Sequence, residues 1–144
     1  MAWTTPKTDW NSTSSDGHYT GDYFSYVDYN RIRGNLLELT SLAEQLYPTS
    51  WSHGMPSAKT VDDIGPTAGD FNNFEYRLHD INNQTVKASI GTRKSYSVNG
   101  IFVDDIELNR VENATVTLRN LLLDQAGGRL RLKFRLGLTG PFRD

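Results

Sequence analysis

At 144 residues the chain is about the size of one domain and long enough to bury a core, but a hydrophobic fraction of 37% and a negative mean hydropathy make that core modest, as in an extended or oligomeric protein. A net charge of −2 supplies no overall field for nucleic acid or an anionic membrane, and the lack of cysteine excludes a disulfide scaffold and thiolate chemistry. No apolar run approaches the roughly 20 residues of a membrane span and the opening MAWTTPKTDW lacks the apolar centre of a signal peptide, so a soluble protein made in the cytoplasm is expected.

Residues 1–23 are polar and rich in Thr, Ser, Gly and Asp, yet they carry Trp3, Trp10, Tyr19 and Tyr23. Disordered tails normally lack aromatics. The segment reads as an extended arm that docks by burying isolated rings, either on its own domain or on a neighbour, and so many rings in so short a stretch favour another subunit as the docking surface.

The next stretch, residues 24–46, reads as a helix. Ser25 stands as N-cap with Asp28 three positions on, Phe24 and Tyr29 occupy the staple positions, and Tyr29, Ile32, Leu36, Leu39, Ala43 and Leu46 form one stripe that ends before Pro48. Residues 48–60, with Trp51, Gly54 and Pro56, have the composition of an ordered but irregular connection. A second helix follows, capped by Thr67 with Asp70 at the third position and striped by Phe71, Phe74, Leu78 and Ile81. From Val86 to Val98 the apolar residues and the Asn99-Gly100 pair suggest a hairpin, or else a turn into the third helix. That helix is expected to be capped by Asp104 and striped by Leu108, Val111, Thr115, Leu118 and Leu122. Gly127-Gly128 is expected to break it. Residues 129–136, RLRLKFRL, then alternate strictly and predict a C-terminal strand with Leu130, Leu132, Phe134 and Leu136 on one face and Arg129, Arg131, Lys133 and Arg135 on the other.

The three helical segments share a design. Each opens on a capping residue, puts an acid three positions later (Asp28, Asp70, Glu107), then a bulky apolar residue and an asparagine (Asn30, Asn72, Asn109). The first and third also share Asn-Arg-aliphatic, where the second has Asn73 in place of the arginine. The acids lie at positions 28, 70 and 107, a spacing too irregular for a solenoid.

Chemistry-bearing patterns are sparse. His18, His53 and His79 have no ligand spacing between any pair, and there is no phosphate loop, nucleophile elbow or HExxH, so neither a metal, a cofactor nor an enzyme is expected. The paired acids Asp62-Asp63 and Asp104-Asp105 are better explained by helix capping and the helix dipole.

The opening WTTPKTDW, followed after a spacer by DYFSYVDYNRIRGNLLEL, resembles tail-associated structural proteins of phages infecting Gram-positive bacteria, and DDIELNRVENATVTL is similar to an Asn-Arg-aliphatic-Glu-Asn element of those proteins. The resemblance touches about half of the chain. It implies a virion component, assembled in the host cytoplasm, of a tail, baseplate or fibre attachment site, with no catalytic residues to carry over. The expected architecture is mainly α with minor β: an arm over residues 1–23, and over residues 24–144 one domain of about three amphipathic helices with a small β element. The expected function is structural or adaptor, through other tail or baseplate proteins and self-association. Trp3, Trp10, Tyr19, Tyr23, Arg129, Arg131, Lys133 and Arg135 are the expected interface residues. Other placements in the virion, a collar, neck or head fibre, stay open. So does a carbohydrate-binding module reading the host cell wall through Trp51, Tyr19 and Tyr23. A small nucleic-acid-binding protein using the arginine strand is a weaker reading, and no membrane partner is expected.

Overall fold

The structure, a computed structural model, describes residues 3–11, 14–15, 18–19, 24–62, 67–97 and 105–138, with side chains omitted at 14–15, 18–19 and 129–138. Three helices form a bundle: α1 (Tyr26–Leu46), α2 (Ala68–Gln84) and α3 (Asp105–Leu138). Ser25 and Thr67 both form complete capping boxes, with Asp28 and Asp70 returning the bond to the cap backbone. Each box satisfies two of the amide groups that a helix start leaves without intrahelical partners. Asp104 lies outside the described residues.

Taking the shared asparagine as origin, the core is built in layers from equivalent positions. Tyr29, Phe71 and Leu108 precede the asparagines; Ile32, Phe74 and Val111 follow at the second position, Leu36, Leu78 and Thr115 at the sixth, and Leu39, Ile81 and Leu118 at the ninth. All twelve are buried. Tyr29 and Phe74 meet at a centroid distance of 5.1 Å, and Phe71 packs edge-on to Phe74 at 5.6 Å.

The helices run parallel. Ser50, just past the end of α1, pairs with Gln84, the last residue of α2, whereas Lys59 pairs with Asn30 near the start of α1 and places its ammonium 3.2 Å from Asp70 in the first turn of α2. Helices joined by short loops pack antiparallel. Here each connection first retraces the bundle as extended chain. A 21-residue α1 is about 32 Å long at 1.5 Å per residue, and about ten extended residues at roughly 3.3 Å each cover that distance.

The expected β element is not found. Residues 87–97 run without strand pairing, and residues 129–136 continue α3 as helix. A lone terminal strand leaves its backbone groups unpaired along both edges, whereas continuing the helix satisfies them within the segment, and Arg, Leu and Lys are all good helix formers. Gly127-Gly128 does not stop α3. Among the described residues the sole strand pairing is a two-residue antiparallel ladder, Ser14–Ser15 with His18–Tyr19. Asn99-Gly100 lies outside the described residues.

Candidate functional site: the interhelix grooves

Each groove between two helices holds an extended segment, and the side chain that grips it is the asparagine of the shared design. In α1, Asn30 Nδ2 donates to the Lys59 carbonyl (2.7 Å) while its Oδ1 accepts from the Lys59 N–H (2.9 Å). Asn72 of α2 does the same to Tyr96 (2.8 and 2.7 Å), and Asn109 of α3 to Trp10 (2.9 and 2.8 Å). A carboxamide carries a donor and an acceptor side by side, so it replaces the neighbouring strand that an extended residue would otherwise need. The order closes on itself: the asparagine of each helix grips the segment leading into the next, and that of α3 grips the segment leading into α1.

A second tier lies five positions further along each helix. Asn35 pairs with both backbone groups of Thr4 (2.9 and 2.7 Å), and Arg77 donates to the His53 carbonyl (3.1 Å). Ala114 stands at the third position and has no polar group to offer. A small pocket lined by Ala114, Ile90, Gly91, Arg110 and Thr117 occupies that place. Gly91 has φ +86°, and a Cβ there would lie 2.7 Å from the Arg110 side chain, so the close approach of this segment to α3 requires glycine.

Two grooves also carry a buried carboxylate three positions after the asparagine. Glu112, 1% exposed, accepts from Arg31 of α1 on both oxygens (2.9 and 2.8 Å), from the Trp10 indole (2.6 Å) and from the Lys7 N–H (3.0 Å). Glu75 accepts from Arg110 of α3 and from the Tyr96 hydroxyl (3.1 Å). Burial opposes the charge of Arg31 and Arg110, but their paired carboxylates outweigh it and hold both guanidinium groups above their ordinary value. Burial, reinforced by Glu75, also keeps the Tyr96 phenol protonated, and burial with Asp70 pushes Tyr29 up to about 12. In the remaining groove all three equivalent positions differ together: Arg33 replaces the carboxylate, Asn73 the arginine and Lys59 the aromatic. Arg33 binds the Pro56 carbonyl instead (2.6 Å). The Asn73 departure therefore belongs to a coordinated exchange of one ion-pair set for another.

His79 is a half-buried imidazole beside this groove. Its Nε2 lies 3.8 Å from Glu75 Oε1, and neither atom has a hydrogen-bond partner. Burial lowers its pKa against the pull of Glu75, with Arg110 and Arg93 acting in the same direction as burial.

The expected interface residues separate into two groups. Trp10 is buried in the bundle's own core, against Phe24 (5.8 Å), and Trp3 packs against that core under the Arg119 guanidinium at 4.7 Å. The arm's residues 3–11 thus lie on their own bundle, one of the two surfaces expected for the arm, where the asparagine pairs and Glu112 supply the polar partners a short segment lacks by itself. Tyr19 is in the two-residue ladder and Tyr23 lies outside the described residues. Arg129, Arg131, Lys133 and Arg135 belong to α3 and not to a strand.

Of the rings considered for carbohydrate, Trp51 alone has a described side chain, and it and Tyr76 both make contacts within the chain. Trp51 stacks against Arg77 at 4.6 Å and donates to Glu44 (3.0 Å), while Tyr76 is sandwiched by His53 (3.8 Å, 6°) and Arg93 (4.6 Å). Among the described residues no cluster of three or more His, Cys, Asp or Glu is placed to hold a metal ion, and no helix is long and apolar enough to cross a membrane. The asparagines were visible in the sequence as a repeated letter; their partners were not, since extended segments gripped by side chains leave no periodic trace. Comparison of the chain with protein-family models, curated proteins and solved structures finds no match.

Proposed function

We propose that this chain is a structural or adaptor subunit of a phage virion, in a tail, baseplate or fibre attachment site, acting through protein–protein assembly with neighbouring tail proteins and copies of itself. The observation that carries the reading is the length of α3. It ends at Leu138, 29 positions after Asn109, whereas α1 ends at Leu46, 16 after Asn30, and α2 at Gln84, 12 after Asn72. Among the residues of α3 whose side chains are described the last buried one is Leu122, and about 24 Å of helix follows it. Isolated helices of this length are marginal in water, and Gly127-Gly128 costs a further ~1 kcal/mol per glycine relative to alanine. An overhang bearing Leu130, Leu132, Phe134, Leu136 and Leu138 in its sequence calls for a partner surface. The resemblance of WTTPKTDW and of the Asn-Arg-aliphatic elements to phage tail proteins supports placing that surface in a virion.

Electron microscopy of virions labelled with an antibody to this chain tests the proposal: decoration at one level of the tail is expected, and unlabelled virions would overturn it. In solution, Leu132→Glu with Leu136→Glu in the full chain should reduce the sedimenting mass while leaving the bundle's thermal transition in place.

A further inference from the structure

Two of the three grooves hold their extended segment at a second point, and the third leaves that point open. Thr4, His53 and Ile90 each stand six positions before the residue that the first asparagine holds, which is Trp10, Lys59 and Tyr96 respectively. Asn35 takes both backbone groups of Thr4, and Arg77 donates to the His53 carbonyl. The residue equivalent to Asn35 and Arg77 is Ala114, which offers Ile90 nothing polar.

Ile90 is 8% exposed, yet among the described residues no group bonds its N–H or its C=O. Backbone groups removed from water are paired in folded proteins, with protein, water or a bound group. The adjoining pocket, about 200 Å³, is lined by Ile90, Gly91, Arg110, Asn113, Ala114 and Thr117. Arg110 bonds Glu75 through Nη2 and Glu107 through Nε, and its Nη1 is buried without a hydrogen-bond partner. The site therefore calls for a donor to the Ile90 carbonyl and for an acceptor able to serve the Ile90 N–H and the Arg110 guanidinium.

A carboxamide carries donor and acceptor on adjacent atoms, and its oxygen has two lone pairs. A guanidinium, the group used at His53, has no acceptor and would meet the charge of Arg110, while a carboxylate has no donor for the carbonyl. We infer that this pocket is a binding site for a primary carboxamide, the side chain of an asparagine or glutamine presented by a partner protein, which completes the second tier of the third groove from outside. Asn113 and Thr117 line the pocket from α3 and are exposed, so the site is reachable from solvent. The site is separate from the α3 overhang, and its failure leaves the assembly proposed above untouched.

The test is an NMR titration of the isotope-labelled full-length chain, read at the Ile90 and Gly91 amides. Acetamide should give a saturable shift at both, whereas acetate and N,N-dimethylacetamide, which lack the N–H donor, should not. A tripeptide, acetyl-Ala-Gln-Ala dimethylamide, whose one primary carboxamide is the glutamine side chain, should shift the same two amides, and its Glu counterpart should not. The Ala114→Asn variant, with a carboxamide of its own in the pocket, should lose the response to acetamide. Absence of saturation with acetamide in the wild-type chain would overturn the inference, as would an equal response to acetate or dimethylacetamide, or a response retained by folded Ala114→Asn. Acetamide binding without any response to the glutamine peptide would overturn a partner side chain as the occupant.

Discussion

Replacing Glu112 by alanine should be among the most destabilising single changes in the protein. The side chain is 1% exposed and its two oxygens accept four hydrogen bonds from three residues on two other parts of the chain. Its removal leaves Arg31, 12% exposed, with Asp28 at 2.7 Å as its remaining carboxylate, and strands the Trp10 indole and the Lys7 amide. Breaking a buried pair from one side costs about 3–5 kcal/mol, and a stranded buried donor costs about 1–3 kcal/mol; these overlap, so a net loss of about 3–5 kcal/mol is expected. Against a total stability of roughly 5–15 kcal/mol this is large. With a urea slope near 2 kcal/mol per molar, the unfolding midpoint should fall by roughly 2 M. Glu107→Ala is the control: that carboxylate, 20% exposed, bonds Arg110 at the rim (2.7 Å), and its loss should cost under about 1 kcal/mol. Glu112→Leu combined with Arg31→Met should lose less than Glu112→Ala alone, because no unpaired charge remains buried. A cost for Glu112→Ala no greater than that for Glu107→Ala would refute the buried-carboxylate role of Glu112.

Ala114→Asn places a carboxamide at the position where Asn35 grips Thr4, beside Ile90 in a pocket with room for it; a gain of about 1 kcal/mol in chemical denaturation is expected, and a loss would break the equivalence of the three grooves. Leu36→Ala and Leu118→Ala, both in fully buried layers, should each cost about 2–5 kcal/mol in the same assay, and unchanged transitions would dissolve the shared core. His79 has its pKa lowered from 6.5 by burial, so on acidification the unfolded chain takes up this proton before the folded one does. Stability held above about pH 6.5 should therefore decline below it, and His79→Leu should flatten that part of the profile measured by thermal denaturation at a series of pH values.

What could be read in the sequence was whatever obeys a local period or a short-range rule. The capping boxes at Ser25 and Thr67 depend on residues three apart, and Ile32, Leu36, Leu39, Phe74, Leu78, Ile81, Val111, Leu118 and Leu122 do lie in one buried cluster. The strand expected over residues 129–136 rested on period-two alternation, but Leu, Arg and Lys are also strong helix formers, and a helix already under way from Asp105 needs no partner strand. The seat of residues 3–11 was not legible in the sequence for a different reason. Trp10 was recognised as needing burial, yet its polar partners, Glu112 and Asn109, lie about a hundred positions away and show nothing in the sequence that links them to it. The shared asparagines were noted as a repeat; that each binds an extended backbone became apparent only with the segments in place.

Three parallel helices hold three extended segments through side-chain carboxamides arranged in a closed cycle. Native-state hydrogen exchange tests it most directly, because extended chain outside a sheet ordinarily exchanges its amides quickly. The amides of Thr4, Trp10, Lys59, Ala88 and Tyr96 donate to the oxygens of Asn35, Asn109, Asn30, Asn82 and Asn72. These five should be protected to nearly the same free energy as the amides of the helix cores, and Asn109→Ala should release Trp10 while Tyr96 stays protected. Exchange of all five at rates typical of unstructured chain would contradict the account.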